Sequence, residues 1–212
     1  LRNTQSFAGL GATHPVHWSA DRDEVQDFEH TVRGLLMQGR GLIRGKVNPP
    51  LGAPNKGLSE DLDALAAYAD SHQFTLSPHS KAGLSDAAKR GRTVFLSEKS
   101  KCATCHSGPL MTDSKPRPVD EIVRWDVGTG NDDPGEKMGP AYDTPTLLGL
   151  YRTGPWLHHG KATTLTEVFT KYNPKDQHGT TSHLSEQDVS DLVEFLKALP
   201  YEEPVLTTAG GR

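Results

Sequence analysis

The sequence predicts an all-α chain of short helices joined by long ordered loops. Four apolar stripes recur at helical spacing, each opened by a Ser or Thr suited to capping. No stretch alternates apolar and polar residues as a half-buried strand would. Of 212 residues only 34% are hydrophobic, while 21 are glycine and 15 proline, which favours loops over one large continuous core.

The elements follow in order. Ser59 caps a helix running to about Ser71, with Leu62, Leu65, Ala66 and Ala69 on one face. Ser85 caps a second through about Leu96, striped by Ala87, Ala88, Gly91, Val94 and Phe95. Thr164 and Glu167 fit a capping box for a short third helix that ends before Asn173-Pro174. Ser185 and Asp188 open the last helix. Val189, Leu192, Val193, Leu196 and Leu199 form its buried face, and Pro200 stops it.

The second helix leads into Cys102-Ala103-Thr104-Cys105-His106, which holds both cysteines of the chain. Two thiols at this spacing add across the two vinyl groups of haem, and the adjacent imidazole lies beneath the iron. A structural zinc site needs a second pair of ligands, which is missing. A thioredoxin-like redox pair leaves the histidine unexplained and wants a βαβ setting. The expectation is one covalent haem c on Cys102 and Cys105, with His106 on the iron. Such attachment is normally made outside the cytoplasm, so a periplasmic or exported protein is expected.

Formal charge is -4 with both signs interspersed, which gives no case for a nucleic-acid surface. No apolar run approaches the length of a membrane span. The chain opens at Leu1 with neither initiator Met nor signal peptide, and is read as mature, trimmed or partial.

An internal repeat divides the chain. Asn3-Thr4-Gln5-Ser6-Phe7-Ala8-Gly9-Leu10 aligns with Asp143-Thr144-Pro145-Thr146-Leu147-Leu148-Gly149-Leu150, and Pro15-Val16-His17-Trp18 with Pro155-Trp156-Leu157-His158. Leu58-Ser59-Glu60 and its apolar continuation match Leu184-Ser185-Glu186. The second copy has its cysteine motif about forty residues before Thr144; the equivalent point of the first copy lies upstream of Leu1. The expected organisation is a partial first domain over 1–80 without its own motif, a complete haem domain over 81–203, and a tail over 204–212.

Ser85 to Leu199 resembles the C-terminal haem domain of the dihaem bacterial cytochrome c peroxidase and MauG superfamily. The residues carrying the resemblance are the helix before Cys102–His106, then Asp143-Thr-Pro-Thr-Leu147, then Thr153-Gly-Pro-Trp-Leu-His-His-Gly160 before Thr164-Leu-Thr-Glu167. Arg2–Ser6 and His17-Trp18 resemble the matching parts of the first domain. The resemblance implies a cytochrome c-like helical haem domain preceded by a partial repeat of the same domain.

It also implies roles. His106 matches the proximal ligand, and Trp18 matches a tryptophan set between two haems that helps electrons pass. A Gln and a Glu that handle peroxide in the enzymes fall here on Phe28 and Gln38. Neither residue can do acid–base work on an O–O bond, which argues against peroxidase chemistry and leaves no catalytic residue assigned. The family keeps its distal ligand in the loop before the last helix, where His178-Gly179 stands. His178 is the first choice for the sixth ligand, Tyr172 the second and Met138 the third. His158 is read as a loop-fixing or haem-edge residue, and Met37 as a cap for a first haem or an ordinary buried side chain.

Asn131–Glu136 is a candidate calcium loop between domains, or a solvated turn. Lys99, Lys101, Lys115 and Arg117 flank the motif as a docking patch for an acidic redox partner, or as plain surface. Trp18, Phe28, Leu35, Leu36 and Met37 would leave an apolar face on residues 1–80, to be covered by a second haem domain, a partner chain or a second copy. The favoured function is a non-enzymatic electron-transfer cytochrome. The alternatives are a peroxide-reducing dihaem peroxidase or MauG-like oxidase, and a haem-based sensor or assembly module.

Overall fold

The structure is a computed structural model that describes residues 3–130 and 139–204. Arg2, the candidate calcium loop Asn131–Glu136, Met138 and the tail after Pro204 lie outside the described residues. In chain order the described α-helices are α1 (Glu29–Arg33), α2 (Glu60–Asp70), α3 (Asp86–Leu96), α4 (Leu165–Thr170) and α5 (Glu186–Lys197). The last four are the helices the sequence predicts, and each begins at the expected cap. Ser59 Oγ accepts from the Leu62 N–H and Ser85 Oγ from the Ala88 N–H. Thr164 with Glu167, and Ser185 with Asp188, close reciprocal capping boxes. Such a cap is worth about 1 kcal/mol against alanine.

Two elements depart from the expectation. Helix α1 spans five residues, too few to show a stripe. A ribbon of β1 (Trp125–Asp126) and β2 (Ala141–Tyr142) pairs antiparallel, Trp125 opposite Tyr142, although no strand was expected. Two residues a side are too few for alternation to be visible in a sequence.

The main core forms where α3 crosses α5. Phe95 and Phe195 meet with ring centroids 5.3 Å apart, and Ala88 and Leu192 are sealed beside them. Burying an aliphatic or aromatic side chain of this size stabilises by about 1.5–3 kcal/mol. The crossing is close because Gly91 sits at it: a Cβ there would lie 1.9 Å from the Asp191 carbonyl oxygen. The neighbouring Arg90 forks onto the Asp191 carboxylate at 2.6 and 2.8 Å, and this bond holds that carboxyl below its usual range. A smaller cluster of Val25, Ala66 and Ala69 packs α2 under Leu10. Buried Ser77 ties the two regions, its N–H on the Pro200 carbonyl and its Oγ–H on that of Lys197.

Residues 3–24 and 143–164 have the same local geometry at one constant spacing. Gly9 and Gly149 are both left-handed and lead into single 3-10 turns, Leu10–Ala12 and Leu150–Arg152. Val16 bridges Arg22 as Trp156 bridges Ala162. The Gly9 N–H donates to the His72 carbonyl just beyond α2, and the Gly149 N–H to the Leu199 carbonyl just beyond α5. The two segments also bond each other reciprocally. Asn3 N–H donates to the His158 carbonyl at 2.7 Å and Asp143 N–H to the Trp18 carbonyl at 3.0 Å.

Candidate haem site

The motif folds as a single 3-10 turn, Cys102–Thr104, entered through Lys101 in the left-handed region. His106 follows, its N–H on the Cys102 carbonyl. Its Nδ1–H donates to the Met111 carbonyl at 3.3 Å, and the Pro145 carbonyl also bonds the ring, which fixes its orientation. The Thr-Pro-Thr segment is stitched to the loop after the motif. Thr112 Oγ1–H donates to the Thr144 carbonyl and Thr146 Oγ1–H to the Leu110 carbonyl, both at 2.6 Å.

His178 arrives from the opposite side on a loop that docks against the motif. The Thr180 N–H donates to the Ser100 carbonyl at 2.9 Å, and Gly179 is left-handed with that same oxygen 2.8 Å from where a Cβ would sit. Buried Asn173 clasps the loop: its Nδ2 donates to the His178 and Gly179 carbonyls and to Thr181 Oγ1, and its Oδ1 accepts from the His178 N–H. Asp176 Oδ1 accepts from the Thr181 and Ser182 N–H groups. Sequence reasoning took Asn173-Pro174 only as a helix stop; its clasp shows only once the loop has folded.

The two imidazoles face each other with centroids 6.2 Å apart across a cavity of about 300 Å³ that Cys102 and Cys105 also line. Two metal–nitrogen bonds of about 2 Å, plus roughly 1 Å from each nitrogen to its ring centre, sum to about 6 Å. His178 Nδ1 is buried and has no hydrogen-bond partner among the described residues. Burial holds both rings below the usual imidazole range, His178 at about 4 with His106 as the second cause, so both offer lone pairs at neutral pH. Phe95, Leu147, Leu192 and Leu196 close the cavity on its apolar side. The residues present therefore fit a haem. They do not fit a thiol redox pair: burial, then Asp113, pushes the Cys105 thiol up to about 11, opposite to the lowering that activates such pairs.

Trp18 lines the same cavity half-buried, its indole N–H on the Asn3 carbonyl at 2.9 Å. Its ring meets the edge of His158 at 6.3 Å. His158 is buried and stacks on Tyr142 at 4.0 Å. Tyr172, the second choice for the sixth ligand, does not join them. Its hydroxyl donates to the Lys161 carbonyl and its ring packs against His159, outside the cavity lining. Phe28 sits edge-on to His17, and Gln38 is exposed in a left-handed turn. Leu35, Leu36 and Met37 are exposed, Leu35 to 93%. Lys99, Lys101 and Lys115 are exposed around the motif and Arg117 is half-buried.

No described helix is long and apolar enough to cross a membrane. Residues 88–200 match the family model of cytochrome c. The gamma subunit of hydrazine synthase from Kuenenia stuttgartiensis is 35% identical over 65% of this chain and 48% of its own length. The cytochrome-c peroxidase IdrP1 of Denitromonas iodatirespirans is 32% identical over 59% of this chain and 43% of its own length. The chain thus spans less than half of each of these relatives. The solved structure of Kuenenia hydrazine synthase superposes with a TM-score of 0.70 at 28% identity, covering 93% of this chain and 72% of that one. A cytochrome c domain implies covalently bound haem c. The chain belongs to the cytochrome c family, within the superfamily of MauG and the dihaem peroxidases.

Proposed function

We propose that this chain is an exported electron-transfer cytochrome that binds one haem through Cys102 and Cys105 and caps its iron with His106 and His178. The observation that carries the reading is the pair of buried, neutral imidazoles facing each other at 6.2 Å. A haem held here would supply a one-electron iron couple, and with both His106 and His178 holding it no position would be left for a substrate. The chain's own residues do the rest. Met111 orients the proximal ring, Asn173 fixes the distal loop, and the apolar wall from α3 and α5 keeps water out.

Trp18 serves as the electron exit toward residues 1–80, since it lines the cavity and touches the His158 edge. We read residues 1–80 as the back half of a second domain of the same kind. The matched geometry of 3–24 and 143–164 supports this. The exposed Leu35, Leu36 and Met37 support a further haem domain or partner chain docked there. The basic residues around the motif suit an acidic redox partner. The second reading, peroxide reduction, is favoured by the named activity of the peroxidase relative, but Phe28 and Gln38 offer no acid–base group. Adding hydrogen peroxide and an excess of a reduced electron donor to the haem-loaded protein separates the two. The electron-transfer reading expects slow oxidation without turnover; sustained peroxide consumption would overturn it.

A further inference from the structure

Asp143 is a titratable group in the cavity wall that electron transfer by two histidines does not use. It lines the cavity with His106 and Cys105, at the end of β2 where the chain enters Thr144-Pro145. Its Oδ2 accepts from Ser114 Oγ–H at 2.8 Å and the Thr144 N–H also favours its anion, while no Lys or Arg among the described residues forms an ion pair with it. The charged groups facing it are Asp113, which repels its anion, and Arg124, which weakly favours it. Asp126, on β1 opposite Ala141, also lines the cavity. Burial, largest of these effects, pushes its carboxyl up to about 7.

The counterpart of Asp143 across the reciprocal pair of backbone bonds is Asn3. Each donates its N–H to the other segment, and each lines the cavity. One carries an amide that cannot titrate; the other carries an acid in a site where its charge is poorly compensated.

We propose that Asp143 is the proton-binding group of this cytochrome, taking up a proton from solvent when the cavity's haem accepts an electron. The step balances. One electron from a redox partner reduces ferric to ferrous iron while one proton converts the Asp143 carboxylate to the acid, and reoxidation releases both. Reduction removes one positive charge from the cavity. At an effective dielectric near 20, a unit charge change about 12 Å away tightens proton binding by about tenfold, and a nearer one by more. The inference rests on the haem electron-transfer reading above.

The test is a potentiometric titration of the haem-loaded protein from pH 5.5 to 8.5, with Asp143→Asn alongside. That variant places at 143 the side chain the molecule already accepts at position 3. The wild-type midpoint potential should fall as pH rises through neutrality, by about a tenfold change in the redox equilibrium over the whole titration, about 59 mV for one electron. The variant should be flat over the same range. A protonated-carboxyl band should appear in the infrared difference spectrum on reduction and be missing from Asp143→Asn. Equal pH dependence in both proteins, or a flat wild type, overturns the proposal while leaving electron transfer intact. A protein with no reversible haem couple overturns both.

Discussion

Substituting Gly91 by Ala tests whether the close crossing of α3 and α5 holds the site together. The new Cβ would lie 1.9 Å from the Asp191 carbonyl oxygen, 2.4 Å from its carbon and 2.8 Å from the Leu192 nitrogen, against a practical minimum of 3.0 Å. All three are backbone atoms, so no side chain can swing aside. The helices must part by roughly 1 Å, a gap that forfeits about a quarter to a half of the contact attraction across it. The interface that opens contains Phe95, Phe195, Leu192 and Ala88. Its disruption should cost about 3–5 kcal/mol, the range for losing a large core side chain. Alanine's better helix propensity returns about 1 kcal/mol, leaving about 2–4 kcal/mol. For a chain of this size that lowers Tm by about 4–16 °C, read by far-UV circular dichroism on the haem-loaded protein. Because Phe95 and Leu192 also line the cavity, the haem spectrum should broaden as well. A variant within about 0.5 kcal/mol of wild type would show that the crossing does not depend on Gly91.

Two other predictions concern buried polar groups. Asn173→Ala strips partners from two carbonyls, the His178 N–H and Thr181 Oγ1, so it should cost about 2–4 kcal/mol and convert part of the iron to high spin, seen in the optical spectrum. Asp27 is fully enclosed, and burial followed by Asp23 raises its carboxyl to about 6, so the folded chain keeps a proton there that the unfolded chain releases near 4. Its contribution to stability is therefore full below about pH 4 and is lost as pH rises to about 6. Urea unfolding over that window should show the decline, and Asp27→Asn should remove it.

The parts of this molecule legible in its sequence are those set by local rules. Ser59, Ser85, Thr164 and Ser185 cap their own helices within three residues, so their signals survive without knowledge of the fold. The cysteine motif is equally local, and its adjacency to His106 carries the cofactor. What was not legible depends on chain segments meeting. Fully buried Glu29 accepts from the Leu42 and Ile43 N–H groups and from Arg33, a knot that holds α1 and the loop after it, yet in the sequence it is one acid among many. Tyr172 and His178 lie six positions apart in one loop region, and spacing could not say which turns inward. The Asn173 clasp decides it, pointing His178 at His106 while Tyr172 turns to Lys161. Asp143 was visible only as the lead into Thr-Pro-Thr, because its lack of a cationic partner is a property of the folded cavity.

In the proposed site His106 and His178 share one iron. Low-temperature EPR of the purified, oxidised, haem-loaded chain tests it most directly, with His178→Ala as the paired sample. The wild type should show a single low-spin ferric species, its haem resisting acid–acetone extraction, and the variant should convert to high spin. A high-spin wild type, or a low-spin signal unchanged by His178→Ala, would contradict it.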